Sequence, residues 1–479
     1  MKQLKFIILL LAITGTTKAQ IELDLTKCRE MALEFSKQMS IANSQLDKAN
    51  YDRKAYRANF FPRLSATGFY FYKPDALEYS LPGGYLPTYV PGPDGKLVPN
   101  VKLDPGTGRP IMGPDGNPVF NQYTFMPDMN IELGLEGVGM AGLQLEQPIY
   151  MGGKVRAAHE MAKVGTSMAS ENIRLKKAEV LTSTDEAYWQ YVGVKEKVQA
   201  AVKYQELLTS LVETLNNSYE TGMITRNDVL KAQVKLNEAT LMLQKARNGL
   251  ELSRMNLCRV IGLPLITDIN INDALEVSTA NNMTADKEQL NNRPEYQLLE
   301  KEVKLKGKNV DLARSDFLPQ LGVSASYSYF EGAQINGVST SDNSFSAMAS
   351  LKIPIFHWGE GKNKVRAAKV EQQMSQLKLE EMSDLMALEM AQMRFNLQDA
   401  FTQLNLADKA LEQAQENLDM SKNQYELGME TLTNYLEAQA QWQNSWSDQI
   451  EAKANLKLSE TRYLKAIGSL DQVADKLTL

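Results

Sequence analysis

The chain has 479 residues, 52 basic and 58 acidic, for a net charge of −6, with only two cysteines and two histidines. The acidic balance argues against a nucleic-acid partner. His159 and His357 fall at strand-to-helix junctions with no nucleophile-elbow or paired metal-ligand motif beside them, and Gly152-Gly153-Lys154 lacks the remaining spacing of a phosphate loop, so nothing points to an enzyme or to a cofactor.

From the start of the chain, Lys2 and Lys5 precede an apolar run, Phe6–Ile13, too short to span a bilayer, and Thr17-Lys18-Ala19 puts small residues at both cleavage positions. Residues 1–19 are predicted to be an export signal, with the mature chain starting at Gln20. Leu25-Thr26-Lys27-Cys28 imitates a lipoprotein box, but Lys27 stands where a small residue is required, so acylation at Cys28 is not expected. Past the signal no apolar stretch reaches the ~20 residues of a spanning helix. Membrane contact then has to come from strands or from a surface face.

The rest of the chain repeats itself. Asn217–Gly262 realigns without a gap on Asn423–Gly468, with Tyr219/Tyr425, Gly222/Gly428, Met223/Met429, Thr225/Thr431, Leu230/Leu436 and Gly262/Gly468 coincident. Upstream, Phe60-Phe61-Pro62-Arg63-Leu64 matches Phe317-Leu318-Pro319-Gln320-Leu321, and Pro148-Ile149-Tyr150 matches Pro354-Ile355-Phe356. The period is too long for a solenoid and describes a pseudo-symmetric protomer. The first repeat covers 20–262, with a β-hairpin at 64–149 and a coiled-coil hairpin at 152–262. A linker at 263–286 follows. The second repeat, 287–479, has its β-hairpin at 321–355, its coiled-coil hairpin at 359–468 and a short C-terminal tail.

In the second β-hairpin Leu321, Val323, Ala325, Tyr327 and Tyr329 alternate with Gly322, Ser324, Ser326 and Ser328, and Phe345, Ala347, Ala349, Leu351 and Ile353 repeat the pattern. The first hairpin offers Leu64–Tyr72 and Val138–Ile149. A soluble sandwich alternates too; strands of nine to eleven residues behind an export signal favour a membrane barrel. Four strands cannot close, because an open edge in lipid leaves backbone groups unsatisfied, so the chain has to oligomerise. Two copies give a barrel filled by side chains, whereas three give about twelve strands and the beginning of a channel. The intervening segment 74–137 holds a small echo, Gly92-Pro93-Asp94-Gly95 and Gly113-Pro114-Asp115-Gly116, which is turn chemistry. It reads as an extracellular cap or as flexible filler.

From Gly152 to Thr221 and from Gly359 to Leu427 there is no proline, and at ~1.5 Å per residue each helix would run about 100 Å. Leu397, Leu404, Leu411, Leu418 and Tyr425 recur every seven residues with Ala400, Ala407, Ala414 and Ser421 three positions on, and Val194, Val198, Ala201, Leu208, Val212, Leu215 and Tyr219 form the matching series. Each long helix reverses at Gly222 or Gly428. The stripe Met382, Met386, Met390, Met393 could bind soft metals, but core packing of a long helix explains it better, and no metal site is expected.

These features together resemble the TolC-like outer membrane efflux proteins: the two F-x-P junctions at Pro62 and Pro319, the two P-I-aromatic junctions at Pro148 and Pro354, and the tips Gly222-Met223-Ile224-Thr225-Arg226-Asn227-Asp228 and Gly428-Met429-Glu430-Thr431-Leu432-Thr433-Asn434. The resemblance implies a homotrimer, mainly α with membrane β-strands. Its twelve-stranded β-barrel in the outer membrane continues into a coiled-coil periplasmic tunnel girdled by an equatorial region that includes the 263–286 linker. It also implies a passive exit duct for a tripartite efflux or type I secretion-like system. Partners would be outer membrane lipid, a periplasmic adaptor that meets the tips at Gly222, Met223, Ile224, Thr225, Gly428, Met429 and Thr431, and an inner-membrane transporter of RND, ABC or MFS type.

The family's second tip carries an arginine and two acidic residues around the closed entrance. Here the arginine position is Glu430 and the first acidic position is Asn434, Glu437 keeps its carboxylate, and Asp228 with Arg226 beside it occupies the first tip. Three copies of Glu437 would form a carboxylate ring that favours cations. If the return helix of the first hairpin stacks under the first helix, Cys28 and Cys258 approach, and a disulfide is expected there. A competing function is a trimeric surface stalk or adhesin whose 74–137 loop binds an external ligand. The polar positions Gln392, Asn396, Gln403, Asn417 and Asn423 favour a water-facing duct wall instead.

Overall fold

The computed structural model describes residues 21–271, 275 and 287–471. The expected signal peptide, the linker at 272–274 and 276–286, and the tail at 472–479 lie outside the described residues. In chain order the elements are β1 (Ile21–Glu22), α1 (Leu25–Phe35), α2 (Lys37–Ala58), β2 (Arg63–Leu81), β3 (Gly84–Pro87), β4 (Tyr89–Pro91), β5 (Leu97–Pro99), β6 (Tyr123–Met126), β7 (Met129–Met151), α3 (Lys154–Glu220), α4 (Arg226–Val260), β8 (Ile269–Asn270), a 3-10 turn (Lys287–Asn292), α5 (Pro294–Ser315), β9 (Gln320–Ile335), β10 (Val338–Lys352), α6 (Glu360–Glu426) and α7 (Leu432–Ala466). They fall into two units: a sheet unit made of Ala58–Gly153 and Ser315–Phe356, and a helical unit made of the remaining segments.

The sheet unit is one antiparallel sheet in the order β10-β9-β7-β2. Its register keeps like with like. Tyr327 faces Phe345 and Ala325 faces Ala347 on the apolar side, while on the other the hydroxyls of Ser326 and Ser346 meet at 2.8 Å and those of Ser328 and Ser344 at 3.3 Å. A one-residue slip would put every serine among the apolar side chains, so the alternation itself fixes the pairing.

The strands run longer than alternation predicts: β2 has 19 residues and β7 has 23. Pro74, Gly134 and Gly137 break the period of two, which hides the continuation from a pattern search. The ladder absorbs them as register shifts between Phe71 and Lys73, Lys73 and Leu77, and Gly134 and Gly139. Consequently both flanks of the 74–137 segment are strand. What remains is ordered into two short ribbons, β3·β6 and β4·β5. The two Gly-Pro-Asp-Gly motifs make matching turns. Gly95 N–H donates to Gly92 O at 2.9 Å and Gly116 N–H to Gly113 O at 3.1 Å. Asn121 then ties the motifs together, its backbone N–H donating to Asn100 O at 2.7 Å and its side-chain amide to Asn100 Oδ1 at 2.8 Å.

In the helical unit α3 and α6 are each 67 residues long and α4 and α7 each 35, so the duplication seen in sequence is a duplication of elements. Among the described residues no helix is long and apolar enough to cross a membrane. The seam positions are buried as their spacing requires: Leu397, Ala400, Leu404, Ala414, Leu418 and Ser421 on α6, Ala201, Leu208, Val212 and Leu215 on α3. Met390 lies in the α6/α7 core and Met393 packs against it. A cluster of Tyr204, Leu208, Leu211, Val212 and Leu215 with Leu432, Tyr435, Leu436 and Trp442 joins α3 of one hairpin to α7 of the other. Another unites α1, α3, α4 and β8 around the fully buried Tyr188 and Leu257, and β1 pairs in parallel with β8 beside it.

Candidate functional site

The residues expected to act sit at two helix reversals built alike. Gly222 at φ +78° and Gly428 at φ +73° turn the chain through the left-handed region, which costs a residue with a Cβ about 1–2 kcal/mol. The turn lets Gly222 N–H reach Tyr219 O at 2.9 Å and Met223 N–H reach Ser218 O at 2.9 Å; Gly428 and Met429 do the same to Tyr425 O and Gln424 O at 3.0 and 2.8 Å. These bonds satisfy the last carbonyls of the long helices. Thr225 and Thr431 then cap the return helices, each hydroxyl accepting from the backbone N–H three residues on, Asp228 or Asn434, at 3.3 Å.

The two caps differ in charge. Thr225 also donates its hydroxyl to Asp228 Oδ2 at 2.7 Å, and the ion pair on Asp228 comes from Lys231 at 3.7 Å, not from Arg226. Asn434 leaves the second cap without a carboxylate. Glu430 turns back into its own hairpin, where the Ser421 hydroxyl donates to its Oε2 at 2.5 Å. Glu437, Asn434 and Arg226 remain exposed. Met223 and Met429 stand 78% and 70% exposed at the turns, whereas Ile224 is anchored in the α3/α7 cluster.

Within the second hairpin the two arms meet through an aromatic pair, one ring on each side of the Gly428 reversal. Tyr425 stacks on Tyr435 with ring centroids 5.4 Å apart and planes at 18°. Burial raises the Tyr425 phenol, with the negative charge of Asp228 adding to it, and burial raises Tyr435 as well. Both phenols therefore stay neutral at any physiological pH, and Asp228 of the first tip lies within electrostatic reach of the second. The polar positions Gln392, Asn396, Gln403, Asn417 and Asn423 are all exposed on α6. An open groove of about 990 Å³ runs between α3, α6 and α7, bordered by Trp189, Lys197, Gln403, Glu451 and Arg462, with Lys197–Glu451 and Glu186–Arg462 ion pairs of 2.9 Å each linking α3 to α7.

A second cluster escaped sequence inspection. Asp185 is fully buried in α3 and accepts both forks of Arg29 from α1, Nε at 2.7 Å and Nη2 at 2.6 Å, and the Thr461 hydroxyl from α7 at 2.8 Å. The signal was an acidic residue inside the apolar series Val180, Leu181, Ala187, Tyr188, and an isolated aspartate on a helix does not announce its partner.

Cys28 and Cys258 come into one apolar cluster, both 0% exposed, but both are thiols. Cys258 Sγ donates to Thr267 O at 3.7 Å. Burial pushes this thiol up while Arg254 opposes, and a thiol held protonated is a poor nucleophile. In this structure no disulfide joins Cys28 to Cys258. Among the described residues no three His, Cys, Asp or Glu side chains converge as metal ligands.

A family model described as "Outer membrane efflux protein" matches the chain over residues 96–263 and 287–469. Among curated proteins the chain is 25% identical over 223 residues to the alkaline protease secretion protein AprF of Pseudomonas aeruginosa, a match covering 46% of each protein, so it spans about half the length of that relative. It is 22% identical over 348 residues to the outer membrane efflux protein BepC of Brucella suis, covering 71% of this chain and 74% of BepC. Among solved structures it superposes on the CmeC outer membrane channel of Campylobacter jejuni with a TM-score of 0.67 at 18% identity, over 93% of this chain and 86% of CmeC.

Proposed function

The chain belongs to the outer membrane efflux protein family, and from that premise we propose that three copies form the passive exit duct of a tripartite efflux or type I secretion-like export system. The observation that carries this is the open sheet: β10-β9-β7-β2 has two edges and, among the described residues, no strand that closes it, so a barrel needs further copies. The names of AprF, a secretion protein, and BepC, an efflux protein, support export of either kind. The exposed polar positions on α6 suit a wall facing water better than the apolar axis of a solid stalk.

In this proposal the exposed Met223 and Met429, with Gly222, Ile224, Thr225, Gly428 and Thr431, present the tips to a periplasmic adaptor, which connects the duct to an inner-membrane transporter of RND, ABC or MFS type. Glu437 of three chains rings the entrance and favours cations, since clustered carboxylates attract them and resist joint ionisation. Glu430, engaged by Ser421, and the Tyr425–Tyr435 stack both stiffen the second hairpin, and closure leans on packing along the helical seams rather than on an arginine lock. Arg226 and Asn434 border the same entrance. The test is conductance of the purified protein in a planar bilayer: the parent is expected to form cation-selective channels, and Glu437→Gln to shift the reversal potential toward zero. A monomer by mass that conducts nothing overturns the duct; a conducting trimer with unchanged selectivity removes Glu437 from the gate.

A further inference from the structure

The internal repeat carries enough information to write down how one copy of the sheet unit joins the next. The two hairpins align without gaps: Leu64, Ala66, Gly68, Tyr70 on Leu321, Val323, Ala325, Tyr327, and Ala141, Leu143, Leu145, Pro148 on Ala347, Ala349, Leu351, Pro354. Under this correspondence β2 stands for β9 and β7 for β10. One interface within the chain checks it. In the first hairpin Leu64 pairs with Leu145 and Ala66 with Leu143; carried over, these pairs require Leu321 opposite Leu351 and Val323 opposite Ala349, which is the register observed between β9 and β10.

The second interface within the chain, β7·β9, has Leu143 opposite Tyr327, Gln144 opposite Ser326 and Leu145 opposite Ala325. Its image under the same correspondence joins β10 to β2. Within one chain these are the two opposite edges of the sheet, exposed along nearly their whole length, so the image can be realised only between copies. Resting on the trimeric duct proposed above, we infer that β10 of one protomer pairs antiparallel with β2 of a second copy in one defined register. It sets Ala349 against Tyr70 of the partner subunit, Ser350 against Phe69 of the partner subunit and Leu351 against Gly68 of the partner subunit.

Two features accord with it, the first as a check on the consistency of the correspondence and the second independently of it. The first is parity. Ala349 and Leu351 share the apolar face of β10 with Phe345 and Ala347, opposite Val323, Leu321, Tyr327 and Ala325 on β9. Gly68 and Tyr70 lie on the β2 face that meets Ala141 and Gly139 on β7, and β7 presents that face to Tyr329 and Glu331 through the same residues. The derived pairs therefore keep the apolar face continuous around the joint, which any odd slip would invert. The second is size: tyrosine opposes alanine, leucine opposes glycine and phenylalanine opposes serine, so large and small side chains interlock along the joint.

The test is disulfide trapping in the full-length protein purified from membranes, with the parent, whose two thiols are buried, as control. Side chains directly opposite across a strand pair have Cβ atoms about 4.5–5.5 Å apart, against ~7–8 Å on the diagonal, and a disulfide needs about 3.5–4.5 Å. The pairs Tyr70→Cys with Ala349→Cys and Phe69→Cys with Ser350→Cys cover both hydrogen-bonding classes of the ladder. At least one is expected to move most chains from the single-chain band to linked oligomers on a non-reducing gel after mild oxidation. Gly68→Cys or Tyr72→Cys with Ala349→Cys, each two residues out of register, should leave the single-chain band. Efficient linkage by either shifted pair in place of the aligned ones overturns the register. No linkage by any pair in a protein that is trimeric by mass overturns it too, while leaving the duct standing. A single-chain mass for the parent removes the duct and the register together.

Discussion

The buried Arg29–Asp185–Thr461 cluster gives the sharpest test of how the helical unit is held. Asp185→Ala leaves the Arg29 guanidinium, 13% exposed, without its counter-charge, and stranding one member of a buried pair costs about 3–5 kcal/mol. That is roughly two to nearly four powers of ten in the unfolding equilibrium. Thr461→Val removes one hydrogen bond to a charged group, about 1.5–3 kcal/mol, and leaves the salt bridge intact. Arg29→Lys loses the two-pronged geometry while keeping the charge, so it falls between. Replacing both partners, Arg29→Met with Asp185→Leu, removes the desolvation cost together with the pair and is expected to come within about 1 kcal/mol of the parent or above it. The assay is denaturant unfolding of the detergent-solubilised protein followed by helical ellipticity at fixed protein concentration. An Asp185→Ala cost under ~1 kcal/mol, or a double variant as weak as the worse single, would refute the assignment of Asp185 as a mutually dependent staple between α1, α3 and α7.

Gly222→Ala and Gly428→Ala each meet open space at the new Cβ, so both should lose only the left-handed strain of about 1–2 kcal/mol, equally within error; thermal unfolding of the two variants checks this, and an unchanged midpoint in both contradicts it. Burial raises the Glu460 carboxyl, with Lys457 partly opposing, so the native state binds this proton more tightly than the unfolded one. Its contribution is full below the unfolded value of about 4.3 and is lost as pH rises through the folded value. Midpoints measured between pH 4 and 6 should therefore fall less with rising pH in Glu460→Gln than in the parent, and parallel curves would sink the claim. Thiol titration without reductant should find two reactive thiols per chain after denaturation and slow reaction before it; none after denaturation would mean that Cys28 and Cys258 close in the exported protein.

Periodicity made most of the architecture legible. The seven-residue series on α3 and α6 and the alternation in β9 and β10 are direct imprints of burial on one face, and the glycines at 222 and 428 mark the reversals because only that residue turns there without strain. The longer reach of β2 and β7 was not legible. Pro74 and Gly134 are individually breakers, and a bulge absorbs them only once a partner strand is in place. The tips were readable as sites but not as geometry: that Glu430 folds back onto Ser421, and that Asp228 is held by Thr225 and Lys231, depends on side-chain reach within a turn. Asp185 shows the remaining gap, since its partners come from helices far away in sequence.

The paired Gly-Pro-Asp-Gly turns between β3 and β6 make that stretch a cassette. Each turn closes on its own backbone bonds, the two clip together at Asn100 and Asn121, and the β3·β6 ribbon, Gly84 opposite Met126, seals the stem beneath them. A whole motif can then be gained or lost without disturbing the register of β2 on β7 below, because loop closure grows only slowly more costly with length. The stretch should therefore tolerate changes in its length, or an inserted tag, while the strands beneath it keep their register.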